Sequence, residues 1–183
     1  MLMQSTAFDR AVRDAVSGHG GVVEAVSGVV TWLGSGWVVF PALVLATILL
    51  WSRLGGRALM VLGTAVAAAL VNTLLKLFLQ RARPTTVLNL FGVSHSLPSG
   101  HAATATGAYV FLVFVLARER IVARGTAVVF GVAVPLLVGV SRVVLDVHWA
   151  TDVVAGWLLG LAVVSAAVVV YVRTGPGRAE PAP

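Results

Sequence analysis

Residues 141–152 read SRVVLDVHWATD, and they stand at the mouth of a run apolar enough to cross a bilayer. Ionisable side chains beside such a run are costly unless paired or functional. His148 and Asp152 are four residues apart, so on a helix they share one face and the carboxylate can orient the imidazole. A histidine held at one ring nitrogen keeps the other in a defined tautomer, ready to attack or to ligate. Arg142 adds a planar guanidinium fork suited to an oxyanion. The plainer alternative is a structural His–Asp pair capping a helix. Asp146, two residues before His148, is expected to face water, with tuning of that histidine as the alternative.

Outward from this stretch the chain is greasy. Of 183 residues, 58% are hydrophobic and 11% charged, with a mean hydropathy of +0.97. Soluble domains carry about 25% charged residues, so the composition implies a membrane protein. The net charge of +6 comes without a basic run or interleaved aromatics, which argues against nucleic acid; loop arginines that set membrane orientation account for it better. With no cysteine, disulfides and thiolate metal sites are excluded. No basic segment followed by an apolar core opens the chain, so no cleavable signal peptide is expected.

Five spans are predicted, at about 36–51, 58–79, 102–117, 121–140 and 153–172, giving an all-α, polytopic transmembrane helical bundle. Residues 4–17 place Phe8, Val12 and Val16 on one stripe, with Asp9/Arg13 and Arg10/Asp14 at i,i+4 on the other side. They predict an interfacial helix, and 22–33 a second surface helix or re-entrant turn. The chain reads as one membrane-embedded domain over 1–173, with interfacial helices in 1–34, a core over 58–172 and a disordered tail at 174–183. Gly156 and Gly160 form GxxxG in the last span, which permits close helix approach. Arg53 and Arg57, then Arg118, Arg120 and Arg124, then Arg173 and Arg178 fall at alternate ends, so that side is expected to be cytoplasmic. Loops 80–101 and 141–152 then share the outer face.

Those loops hold two further polar stretches. KLFLQRARP, Lys76 to Pro84, carries the chain's single lysine. Lys76 and Arg83 lie two helical turns apart and so point the same way; snorkelling at the membrane boundary is the competing account. LPSGH ends at His101, where Pro98, Ser99 and Gly100 enter the third span. A helix start exposing free N–H groups binds phosphate-like anions, although Ser99 could simply be an N-cap. His101 sits beside any bound anion, where it would stay protonated as a general acid requires. His95 and His19 have no spacing partners and read as ordinary loop histidines. On one membrane face the three stretches thus gather three cations, a helix start, a histidine with its carboxylate and a second histidine. That inventory suits phosphoryl transfer, which depends on positioning and on charge stabilisation at the equatorial oxygens. No cluster of acids and histidines suggests a metal cage, so no metal and no cofactor is expected.

The three stretches resemble the signature of the type 2 phosphatidic acid phosphatase (PAP2) family: Lys-x6-Arg-Pro in Lys76–Arg83–Pro84, Pro-Ser-Gly-His in Pro98–His101, and Ser-Arg-x5-His-x3-Asp in Ser141–Arg142–His148–Asp152. The resemblance covers about residues 58–172. It implies that His148 attacks phosphorus and becomes a phosphohistidine, with Asp152 orienting it. It implies that His101 protonates the leaving oxygen, and that Lys76, Arg83, Ser99, the Gly100 amide and Arg142 hold the phosphate. It further implies a metal-independent integral membrane enzyme acting on a lipid phosphate or diphosphate at the outer face, for example phosphatidylglycerophosphate, phosphatidic acid or a polyprenyl diphosphate. Transfer to an acceptor other than water, or lipid-phosphate binding and transport without hydrolysis, are the alternatives. A binder needs the cations but neither His148 nor Asp152, which favours the enzyme. Members commonly have six spans, and this chain departs from them in predicting five.

Overall fold

A computed structural model describes residues 4–16, 20–85, 88–89, 92–93 and 95–174. The expected tail beyond residue 174 and His19 lie outside the described residues. Helices α1 (Ala7–Val16) and α2 (Gly21–Val30) come first, and a 3-10 turn at Thr31–Gly34 follows α2. Then come α3 (Gly36–Leu54), α4 (Leu59–Leu79), α5 (Gly100–Ala105), α6 (Phe111–Arg118), α7 (Arg124–Val144) and α8 (Ala150–Arg173). A π-helical turn at Thr106–Val110 joins α5 and α6 into one rod. Two-residue strands β1 (Leu88–Asn89) and β2 (Gly92–Val93) pair antiparallel in the loop between α4 and α5.

Among the described residues four helical segments are long and apolar enough to span a bilayer: Gly36–Leu79, Gly100–Arg118, Arg124–Val144 and Ala150–Arg173. The first is 44 residues long, about twice what one crossing needs. It folds back on itself at the 3-10 turn Gly55–Ala58, where Gly55 adopts φ +55°, and the Thr47 hydroxyl reaches the Ala58 carbonyl across the bend. Counted as α3 and α4, it restores the five predicted passes. Val39 and Leu43 of α3 meet Val61 and Ala65 of α4, Phe111 and Val115 of α6 and Tyr171 of α8 in the main core. Outside, Phe78 is 86% exposed, and Leu49, Val128 and Leu158 are exposed with it. Such side chains belong against lipid.

Polar contacts tie the ends of the bundle together. At one end Arg53 donates to the Glu119 carbonyl, Arg57 donates to the Tyr171 carbonyl and stacks 3.9 Å from that ring, and the Tyr171 hydroxyl donates to Glu119. At the other end the Ser99 amide donates to the Asp152 carbonyl at 2.8 Å, which fixes the start of α5 against the start of α8. The GxxxG pair extends that contact. A Cβ on Gly156 would fall 2.6 Å from the Ser99 carbonyl oxygen, and one on Gly160 2.5 Å from Thr106 Cβ.

The two N-terminal helices depart in detail from the sequence reading. In α1 the expected apolar face is split, since Phe8 is exposed while Val12 and Val16 pack against Ala102, Val143 and Val153. Asp9, expected on the outer face, is completely buried. It and Arg13 engage partners from other elements, a tertiary override that helical periodicity does not carry. In α2, Val22, Val23, Val26 and Val29 are exposed whereas Ser27 is buried, so its small polar side faces the protein.

Candidate active site

Each of the predicted site residues lies at the end of the bundle marked by the Ser99–Asp152 contact. Helix α4 delivers Lys76 in its last turn and stops at Gln80, whose φ of 48° ends the helix in the left-handed region. The chain then leaves the helix and reaches Arg83 three residues later. Lys76 Nζ donates to the His95 carbonyl at 2.9 Å, and Arg83 Nη2 reaches the same oxygen at 3.4 Å, so the two cations converge as their spacing predicts. A Cβ on Gly100 would lie 3.3 Å from Asn72 Oδ1 and 4.0 Å from Lys76 Cε, which brings the first turn of α5 beside the Lys76 amine. His101 follows and lies in the electrostatic field of Arg142, His148, Lys76 and Arg83.

Helix α7 ends at Val144, and Asp146 turns the chain with φ 53°. His148 therefore belongs to the turn before α8, two residues ahead of Ala150, and not to a helix shared with Asp152 as the spacing suggested. The two side chains come near each other all the same, without a hydrogen bond between them. Asp152 folds back to accept the Trp149 amide at 2.9 Å, and its Oδ2 lies 3.5 Å from His148 Nδ1. The other ring nitrogen, Nε2, is 3.2 Å from Arg83 Nη1. A guanidinium only donates, so this contact makes Nε2 the acceptor and leaves the ring proton on Nδ1, facing the carboxylate. Burial, then Arg83, Lys76 and Arg142, push the His148 pKa well below its usual value and keep the ring neutral. A neutral imidazole whose Nε2 carries no proton can act as a nucleophile once a phosphoryl group takes the place of the Arg83 contact.

The donor set fits an oxyanion. Ser99 is completely buried, caps α5 without a side-chain bond, and its hydroxyl has no hydrogen-bond partner; Arg142 Nε is likewise buried and unpartnered, while Arg142 Nη1 is anchored on Thr31 at 2.7 Å. Buried donors left unmatched are costly, and a phosphoryl group would satisfy both. Among the described residues no three His, Asp or Glu side chains gather as metal ligands.

Several residues escaped the sequence reading. Buried Arg81 donates to Asp152 Oδ1 at 2.6 Å and to Asp9 Oδ2 at 2.5 Å. Buried Ser96 pins the long loop by donating its amide to the Arg81 carbonyl and its hydroxyl to the Ala82 carbonyl. Buried Asn72, a polar residue inside a span and therefore open to suspicion from sequence alone, donates to the Pro98 carbonyl. Asp146 does not simply face water: it forms a two-pronged pair with Arg13, both contacts 2.7 Å, with 21% of its side chain exposed. His95 contributes its carbonyl.

The PAP2 superfamily model matches residues 57–176. The chain belongs to the PAP2 superfamily. This PAP2 chain is 32% identical over 145 residues to phosphatidylglycerophosphatase B of Bacillus subtilis, covering 75% of this chain and 70% of the relative. It is 38% identical over 78 residues to undecaprenyl-diphosphatase of Sulfolobus acidocaldarius, 42% of this chain and 34% of that one. Its fold matches the crystal structure of a transmembrane PAP2-type phosphatidylglycerolphosphate phosphatase from Bacillus subtilis with a TM-score of 0.82 at 26% identity, over 93% of this chain and 87% of the other. It matches LpxE of Aquifex aeolicus at 0.66 and 20% identity, over 92% and 99% of the two chains, a likeness of fold. The PAP2 chain is thus a multi-pass membrane phosphatase, and the family match encloses the three motifs.

Proposed function

We propose that this PAP2 protein removes the terminal phosphate from a lipid phosphate or diphosphate through a phosphohistidine on His148, without a metal ion, at the outer face of the membrane. The observation that carries the reading is the His148 ring, with Nδ1 toward Asp152 and Nε2 toward Arg83. Nε2 attacks phosphorus, and the bond from phosphorus to the leaving oxygen breaks. That oxygen takes a proton from His101, and Lys76, Arg83, Arg142, Ser99 and the Gly100 amide hold the equatorial oxygens. Water then attacks the phosphohistidine, with His101 accepting its proton, and phosphate leaves. Three cations supply charge of the size that paired metal ions provide elsewhere. The names of the relatives support lipid phosphates such as phosphatidylglycerophosphate and polyprenyl diphosphates as substrates. The arginine-rich ends at Arg53–Arg57 and Arg118–Arg124 support an outward-facing site.

The test is phosphate release from detergent-dispersed phosphatidylglycerophosphate, phosphatidic acid and undecaprenyl diphosphate, before and after exhaustive EDTA treatment. Release is expected to survive EDTA and to be blocked by vanadate, whose trigonal bipyramid imitates the transition state. His148→Ala is expected to abolish both release and any acid-labile phosphoenzyme. Activity lost to EDTA and restored by magnesium or zinc would overturn the metal-free mechanism, and turnover by His148→Ala would overturn the nucleophile.

A further inference from the structure

Behind the proposed nucleophile lies a second layer of charge that begins in α1. Arg81 Nη1 donates to Asp152 Oδ1 and to the Thr151 hydroxyl, and Arg81 Nη2 donates to Asp9 Oδ2. Asp9 also accepts the Thr151 amide at 2.9 Å and its hydroxyl at 2.8 Å, and from the residue just before its own helix the Thr6 amide at 3.0 Å and hydroxyl at 2.9 Å. Both carboxylates are fully buried, and 4% of the Arg81 side chain is exposed. Three ionised groups buried from solvent are costly to assemble and are weak evidence for stability in themselves. Thr6–Asp9 could have capped α1 on the surface, where the charge is cheap; instead the helix carries it inward, to the back of Asp152.

We propose, resting on the reading of His148 and Asp152 above, that Asp9 and Arg81 are positioning residues, which fix Asp152 and set the charge that it presents to His148. Electrostatics gives the reason. Arg81 and Asp152 alone sum to zero, and a neutral pair does little for a ring that becomes cationic as it takes up phosphorus. Asp9 offsets Arg81, so the group of three carries a net single negative charge, and Arg81 still grips the carboxylate that faces Nδ1. The groups facing His148 are Lys76 from α4, Arg83 from the segment after it, His101 from α5, Arg142 from α7 and Asp152 from α8. Arg83 and Arg142 are cations and Lys76 is a third basic group, so the negative charge behind Asp152 counts heavily. Asp146, close by in sequence, is paired with Arg13.

The experiment is a charge cycle with Asp9→Asn, Arg81→Gln and the double variant, all in the full-length protein. The net charges behind His148 are −1 in the wild type, 0 in Asp9→Asn, −2 in Arg81→Gln and −1 in the double variant. The protonation of His148 is read by NMR of ring-labelled histidine, assigned with His148→Gln, and this readout needs no turnover. Arg81→Gln is expected to move that titration up by about one pH unit, Asp9→Asn to move it down, and the double variant to return near the wild type. In parallel, Asp9→Asn is expected to lower kcat about tenfold or more while KM stays within about twofold. Titration does not depend on the amount of folded protein, and if Asp9→Asn does not fold, the upward move in Arg81→Gln decides alone. An unmoved titration in Arg81→Gln overturns the inference. Wild-type protein that titrates as expected but releases no phosphate overturns the proposed function instead.

Discussion

The neutral state of His148 has a direct kinetic consequence. An imidazole attacks only through its unprotonated nitrogen, so activity falls where the ring takes a proton. An unperturbed histidine does so near pH 6.5. Burial first, and then Arg83, Lys76 and Arg142, depress the His148 pKa, so the protonated form appears only well below that pH. The acid limb of kcat/KM is therefore expected well below pH 6.5, measured with a phosphate ester whose own ionisation is complete above it. A limb at 6.5 or higher would show that the cations do not crowd the ring. Every motif residue was readable in the sequence because each belongs to a short, spaced pattern. Asp9 and Arg81 were not. Their partners lie 72 and 71 positions away, and nothing in local periodicity separates a surface i,i+4 pair from a carboxylate turned into the interior. Asn72 was missed as well, although an amide within an apolar span is a signal that could have found it.

At the scale of elements, one close joint lies between α8 and the start of the α5–α6 rod. Gly160→Ala would set a methyl 2.5 Å from Thr106 Cβ and 2.9 Å from the Ala103 carbonyl oxygen. Overpacking of this kind costs about 1–3 kcal/mol, and here it also pushes the helix that carries Ser99 and His101. The variant is expected to melt several degrees lower in detergent and to lose turnover, while Gly28→Ala, with nothing within 4 Å of the added carbon, melts like the parent. Equal melting of the two would contradict the packing account. In sequence GxxxG is weak evidence, because it names one surface and not its partner. The five spans, by contrast, were legible to within a few residues, since lipid demands a long apolar helix wherever the chain crosses. The fate of α1 and α2 was less so: short amphipathic helices take their orientation from what they meet.

For the whole molecule the shared end of the three motifs, read with the arginine-rich ends opposite, makes the proposed topology testable. Ser52 and Thr85 are both exposed and lie on either side of α4. Single cysteines at Ser52 and Thr85, in a chain that has no other, are expected to react from opposite sides with an impermeant maleimide: Thr85→Cys in intact cells, Ser52→Cys only after permeabilisation. Labelling of both in intact cells would falsify the outward-facing site.

Lys76 is the only lysine among 183 residues, and its amine points at the same carbonyl as Arg83. The molecule therefore carries a built-in reporter. In purified protein, an amine-selective acylating reagent finds one lysine side chain among these residues, at the proposed phosphate cradle. A lysine-specific protease cuts the polypeptide once, on the C-terminal side of residue 76, and an acylated Lys76 resists that cut. The ratio of whole to halved chain on a gel then counts the sites that were occupied when the reagent arrived. Vanadate is expected to preserve cleavage by shielding the amine, and neutral detergent lipids are not. A single lysine at the end of a helix thus lets ligand binding be read as a band, with no label and no substrate.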